Sequence, residues 1–274
     1  MSNVGEIERV TQNRIVKLFK NHLKYDYLGD LKDKENKNIN PKLLKTFLQK
    51  QEYGEKIITR ALRELDQATA MGDGRSLYDA NKEVYRILRY GIKVKEGAGE
   101  QNQTIWLINW AEPEKNNYAI AEEVTVKGEN TKRPDVVLYI NGIAIAVIEL
   151  KRSTVGLTQG IRQNLLNQRE DFISPFFTTI QLVMAGNDTQ GLRYCTIETR
   201  EKYFLEWKEE GGIGKYKLDQ HLSLLFQKQR LLELIHDFIV FDSGIKKVCR
   251  QNQYFGIKKA QGYISNLKGG IIWH

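Results

Sequence analysis

The sequence predicts an α/β protein: a helical N-terminal part, then a mostly antiparallel sheet with a helix against it, then a helical C-terminal extension. Three observations carry this reading. Apolar residues recur at helical spacing over much of the first 90 residues. From residue 103 the pattern becomes short runs of β-branched and aromatic residues, with Pro113 and Gly128 in the polar breaks. Helical spacing then returns over 157–170, ahead of further strand-like runs.

The elements follow in order. Ile7, Val10, Ile15, Leu18, Phe19 and Leu23 fall near one face and predict a helix over 6–23. Asn40-Pro41 reads as an N-cap followed by a first-turn proline, opening a helix through Leu43, Leu44, Phe47 and Leu48. Ile57, Ile58, Ala61, Leu62 and Leu65 give the next. Ser76 caps another that runs to Tyr90 and stops at Gly91. Strands are expected over 103–110, 118–126, both sides of Asn141-Gly142, 179–185 and 193–197. The spacing of Leu157, Ile161, Leu165 and Leu166 places a helix over 157–170. Gly211-Gly212-Ile213-Gly214 reads as a linker, and 219–240 as mostly helical. The organisation expected is therefore a domain over 1–210, helical over 1–91 with a sheet core over 92–210, and a linker with a second, incomplete unit over 211–274.

Composition narrows the class. The 274 residues are 28% charged and 41% hydrophobic, which excludes disorder and collagen-like repeats. The net charge of +8 and pI near 9.2 favour an acidic partner, with nucleic acid first; the alternative is a basic surface kept for solubility. Cys195 and Cys249 lack ligand-like spacing and His22, His221, His236 and His274 are scattered, so neither a disulfide framework nor a structural zinc site is expected. That usage suits a reducing cytoplasm. Acids stand in the N-terminal stretch where a signal peptide would have an apolar core. The longest apolar run, Ile143 to Ile148, is too short to span a bilayer, and no membrane association is expected.

The chemistry concentrates in Arg133-Pro134-Asp135-Val-Val-Leu-Tyr-Ile-Asn141-Gly142-Ile-Ala-Ile-Ala-Val-Ile-Glu149-Leu150-Lys151. An acid opens the first strand; an acid and a lysine close the second. Alternation puts Glu149 and Lys151 on one face. Asp135 is a harder case. Across a regular two-residue hairpin it would stand opposite Ile148 and point away from Glu149. A bulge, a three-residue loop or a marked bend between 135 and 149 is therefore required if the three groups share a site. Together they could hold Mg²⁺ through two hard carboxylates, with the lysine steadying an attacking hydroxide and the charge developing on phosphorus. The alternative is an ordinary strand whose charged end reaches water.

Pro-Asp-x₁₃-Glu-x-Lys resembles the PD-(D/E)xK nuclease signature. The longer stretch resembles the N-terminal nuclease region of the type I restriction enzyme R (motor) subunit, as do Thr11-Gln-Asn-Arg14, Tyr27-Leu-Gly-Asp30, Phe176-Phe177, Gln181-Leu-Val-Met-Ala-Gly-Asn187 and Tyr194-Cys-Thr196. The resemblance covers nearly the whole chain. It implies a restriction-endonuclease-like core, a mixed sheet flanked by helices, with Asp135 and Glu149 as metal ligands and Asp135, Glu149, Lys151 and Gln163 as catalytic residues. The family's Gln-x-x-x-Tyr motif is kept at Gln163 but has Asn167 where the tyrosine stands. A further acid on the first helix, Glu8 or Glu6, is implied more weakly. Arg250-x-x-Gln253 is similar to an adenine-contacting motif, and Gly269-Gly-Ile-Ile-Trp-His274 to the strand leading into a phosphate loop. No Gly-Lys-Ser/Thr follows, so the stretch over 211–274 reads as the truncated start of a helicase-like motor, with ATP a cofactor of the longer subunit only. Implied partners are double-stranded DNA and the modification (methyltransferase) and specificity subunits. The rival is a non-catalytic DNA-binding or docking module that keeps the nuclease fold, and Asn167 is its best support.

Overall fold

The structure, a computed structural model, describes residues 4–271 apart from Asp73, Glu96, Ala98 and Lys268, and of residues 4–8 the backbone alone. Helix α1 (Val4–Asn21) leads into β1 (Asp26–Asp30), then α2 (Pro41–Lys50), α3 (Glu55–Thr69) and α4 (Leu77–Tyr90). The caps read from the sequence are in place. The Asn40 side chain accepts from the Leu43 N–H, Ser76 accepts from the Asp79 N–H, and Gly91 ends α4 at φ 73°. Next come β2 (Ile92–Val94) and β3 (Gln103–Ile105), which form a separate antiparallel ribbon. The expected strand over 103–110 thus stops at Ile105. Beyond it the chain turns: Trp110 donates to the Leu88 carbonyl, and the Asn116 side chain ties down both N–H and C=O of Asn109.

The main sheet contains β4 (Tyr118–Glu122), β5 (Val136–Ile140), β6 (Ile143–Leu150), β7 (Leu182–Asn187), β8 (Gly191–Cys195) and β9 (Leu205–Glu206) in addition to β1. Its order is β1-β4-β5-β6-β7-β8-β9. The β1–β4 and β6–β7 pairs are parallel and the others antiparallel. A parallel neighbour needs a crossover, and α5 (Leu157–Asn167) supplies the one between β6 and β7. β1 was not foreseen. Its residues, Asp26-Tyr-Leu-Gly-Asp30, are half polar because the strand lies at the sheet edge.

Every residue of β5 and β6 is buried. A central hairpin covered on both faces should read as unbroken apolar runs, and this one does. One face (Val136, Leu138, Ile140, Ile143, Ile145, Ile148) belongs to a large core with α1, α2, α3 and α4. The other (Val137, Tyr139, Ala144, Val147) packs on Ile173, Phe176, Phe177 and Ile180. The large core also takes in α6 (Lys217–Leu225), α7 (Lys228–Asp237) and Tyr254 of α8 (Gln251–Ser265). Tyr25 donates to the Phe226 carbonyl and Tyr85 to that of Ile235. The region expected to be helical through 240 ends earlier, in a hairpin of β10 (Ile239–Asp242) and β11 (Ile245–Val248). Among the described residues no helix is long and apolar enough to cross a membrane.

The Asn141-Gly142 turn is itself buried, with both residues at positive φ (52° and 83°), as a two-residue hairpin requires. A Cβ on Gly142 would sit 2.7 Å from the Asn40 carbonyl oxygen and 2.8 Å from Leu43 Cβ. Gly142→Ala is therefore expected to lower stability by about 1–3 kcal/mol, from backbone strain and the clash together. Chemical denaturation would show it as a lower midpoint at unchanged slope, and an unshifted midpoint would contradict it.

Candidate active site

Register decides where Asp135 points. Ile140 pairs with Ile143 and Tyr139 with Ala144, but Leu138 pairs with Ala146. Ile145 is the extra residue of a β-bulge. The packing shows the same thing: Ile145 and Ala146 are consecutive, yet both belong to the large core. Past the bulge Val136 faces Ile148, so Asp135 falls level with Glu149. Both then share the face of Val137 and Val147. The irregularity that the sequence required is present, inside β6 rather than in the turn.

Around that point the structure gathers four elements. Glu149 is fully buried and Lys151 lies just beyond β6, its Nζ 4.0 Å from Glu149 Oε2. Asp135 is half-buried, and its Oδ2 accepts the Leu150 N–H at 2.6 Å, tying the start of β5 to the end of β6. From α5, the Asn167 amide reaches Glu149 Oε1 at 3.4 Å. From α1, the buried Gln12 side chain donates to the Asp135 carbonyl at 3.2 Å and to Glu123 Oε1 at 3.1 Å. Glu123, at φ 50°, donates its own N–H to the same Asp135 carbonyl at 2.9 Å and is paired with Arg133 at 2.7 Å.

Gly160 explains how α5 comes so close. A Cβ there would stand 3.1 Å from Ala185 Cβ, 3.3 Å from Lys151 Cγ and 3.6 Å from Glu149 Cβ. Gly160, Gln163 and Asn167 follow at helical spacing, so the half-buried Gln163 shares the face turned to the carboxylates. Asn164, buried on that side, donates to the Met184 carbonyl at 2.7 Å and locks α5 to β7.

Burial is the main cause that pushes the Glu149 carboxyl well above its ordinary value, with the Asp135 charge second. Asp135 is also raised by burial, against the opposing pull of the Leu150 N–H and the Lys151 charge. Glu149 Oε2 is buried and accepts no hydrogen bond. A carboxylate oxygen in that position is costly, and the Lys151 ammonium 4.0 Å away offsets only part of that cost. Among the described residues no group of three or more His, Cys, Asp and Glu forms a cage. Two carboxylates suit Mg²⁺, which keeps most of its waters.

The remaining sequence-derived candidates fall elsewhere. The side chains of Glu6 and Glu8 lie outside the described residues, as does the end of the strand expected over 269–274. Arg250 and Gln253 open α8, where Gln253 Oε1 accepts the Arg250 N–H at 2.8 Å, an N-terminal cap. Gln12, Glu123, Gly160 and the contact made by Asn167 escaped the sequence reading. Gln12 lies within the Thr11–Arg14 segment, but an uncharged amide on a helix carries no signal that sets it apart from a surface residue.

A family model described as type I restriction enzyme R protein N terminus (HSDR_N) matches residues 7–202. The chain belongs to that family. It is 28% identical over 213 residues to a putative type I restriction enzyme MjaVIIIP endonuclease subunit of Methanocaldococcus jannaschii, a match covering 70% of this chain and 20% of that protein. It is 24% identical over 306 residues to the HindI endonuclease subunit of Haemophilus influenzae, covering 100% of this chain and 28% of the relative. The EcoprrI endonuclease subunit of Escherichia coli is 25% identical over 148 residues, with 52% and 47% covered. The chain thus spans between a fifth and just over a quarter of the length of the first two relatives.

The buried carboxylate sets a pH test. In the folded chain Glu149 holds its proton above pH 4.5, its ordinary value, whereas the unfolded chain releases it there. Stability contributed at this position therefore falls as pH rises through the window from 4.5 to the raised value. Glu149→Gln should raise the melting temperature in EDTA, by a margin that grows with pH across that window. Wild type should recover about 2.7 kcal/mol at Mg²⁺ a hundredfold above Kd, and the variant should recover little. A variant that melts lower than wild type in EDTA at neutral pH would contradict this.

Proposed function

We propose that this chain is a Mg²⁺-dependent DNA endonuclease domain with a PD-(D/E)xK core. The supporting observation is the convergence of Asp135 and Glu149 across the Ile145 bulge, with Lys151 beside them and one Glu149 oxygen lacking a donor. Asp135 and Glu149 would hold the metal. When bound there, Mg²⁺ supplies a water of lowered pKa and polarises a phosphodiester.

The chain's own groups do the rest. The Leu150 N–H holds Asp135 Oδ2 in place beside Glu149. The Asn167 amide fixes the orientation of Glu149. Lys151 places a cation where charge develops on phosphorus and steadies the attacking hydroxide. Gln163, one turn before Asn167 on α5, is positioned to meet DNA or the metal's waters. Histidine is not needed, in keeping with its scarcity. The net charge of +8 supports binding to duplex DNA through phosphates, with affinity that falls as salt rises. Sequence recognition then lies on a partner.

The names of the relatives support placing this domain in a larger assembly. In that reading it works with modification and specificity subunits in the cytoplasm, and a motor in the longer subunit uses ATP, with Arg250 and Gln253 contacting adenine there. One observation favours the rival, non-catalytic module: position 167 is Asn, not Tyr. Its contact with Glu149 keeps that position turned to the site all the same.

The deciding experiment uses the full-length subunit in its complex. Asp135→Ala should abolish cleavage, and Lys151→Ala should reduce it by about 10²–10³-fold, while ATP-driven translocation continues. Cleavage that persists in both variants with translocation intact rules out the nuclease reading.

A further inference from the structure

Lys246 is a charged residue in the wrong place for an ordinary hairpin. On β11 it is 2% exposed, while Ile245 beside it is 56% exposed. Three oxygens face its Nζ: Gln181 Oε1 at 2.6 Å, Asn81 Oδ1 at 2.7 Å and the Ile180 carbonyl at 3.4 Å. An ammonium has three protons to donate, so the cluster satisfies it without a carboxylate. The amide orientations are set independently. Asn81 Nδ2 donates to the carbonyls of Phe177, Thr178 and Ile180, and Gln181 Nε2 donates to that of Thr179. The Tyr85 and Phe241 rings stand 5.8 Å and 5.3 Å from the nitrogen and add cation–π attraction.

The cluster leads to the bulge. Gln181, whose side chain holds Lys246, donates its backbone N–H to the Ile145 carbonyl at 2.7 Å. Ile145 is the residue that places Asp135 and Glu149 on one face. A bulge leaves its extra residue out of the β5–β6 ladder, and here the Gln181 N–H takes up the carbonyl. The hairpin that carries Lys246 is anchored at two further points: Thr196 Oγ1 donates to the Lys246 carbonyl at 2.6 Å, and the Tyr194 hydroxyl to that of Cys249 at 2.9 Å.

We infer that Lys246 is a positioning residue for the Asp135–Glu149 pair, acting through Gln181 on the Ile145 bulge. The inference rests on the nuclease reading for its consequence, but the linkage itself can be measured without it. The β10–β11 hairpin is then a brace for the site, made by a segment outside the motif and nearly a hundred residues beyond Lys151.

The test uses Lys246→Met, which keeps the length of the side chain and removes its donors. Gln181→Met cuts the same path one residue nearer the bulge and serves if the first variant fails to fold. Val248→Ala, which trims the hairpin without touching the path, is the control. Amide hydrogen exchange over 143–150 and at Gln181 should quicken in the Lys246 or Gln181 variant and stay near wild type in the control. Mn²⁺ binding, followed by calorimetry on the same chain, should weaken about tenfold in the path variants only. Unchanged exchange in a folded path variant, or equal loosening by the control, overturns the linkage whatever the metal does. If wild type and Asp135→Ala bind Mn²⁺ alike, the nuclease reading fails separately, and the exchange arm still decides the linkage.

Discussion

A single inserted residue, Ile145, is the constraint on which the site depends. In a regular ladder a one-residue slip sends every side chain to the other face. Here the slip is confined to the middle of β6. The turn-side half of the hairpin keeps the pairing set by Asn141-Gly142, and the far half is shifted by one. The apolar core tolerates the change because the residues on both sides of the bulge are apolar, so either face can receive them. The charged ends cannot be exchanged in that way. Without the shift Asp135 would stand level with Ile148 and Glu149 would be buried with no acidic partner.

That geometry carries an energetic cost, concentrated at Glu149. A fully buried carboxyl whose second oxygen has no donor destabilises the ionised form. Stability is drawn from elsewhere: from the two-sided core around β5 and β6, and from α1, α4, α6 and α7 packed against one face of it. The close fit of α5 at Gly160 and the lock made by Asn164 keep the fourth wall of the site in place.

Much of the frame was legible in the sequence because it rests on local signals. Asn40-Pro41, Ser76 and Gly91 mark helix ends through their own backbone and side-chain chemistry, and Asn141-Gly142 marks the turn. Apolar runs on either side of it announced two buried strands. The need for an irregularity between 135 and 149 also followed from alternation alone, though not its position at Ile145. That position depends on Gln181 and on the helices packed over β6, contacts far apart in the chain. The same limit hid Gln12 and Lys246, which meet their partners across more than 60 residues. The hairpin of β10 and β11 was missed because Ile245 and Lys246 reverse the usual pattern, apolar outward and charged inward. The family match over residues 7–202 accords with the motifs read from the residues.

Anomalous scattering from Mn²⁺ in crystals of this chain is the most direct measurement of the shared site. A single peak should appear between Asp135 and Glu149, within about 2.1 Å of one oxygen from each, with Ile145 still excluded from the ladder. Absence of any peak there at saturating Mn²⁺, or carboxylates found on opposite faces of a regular hairpin, would contradict it.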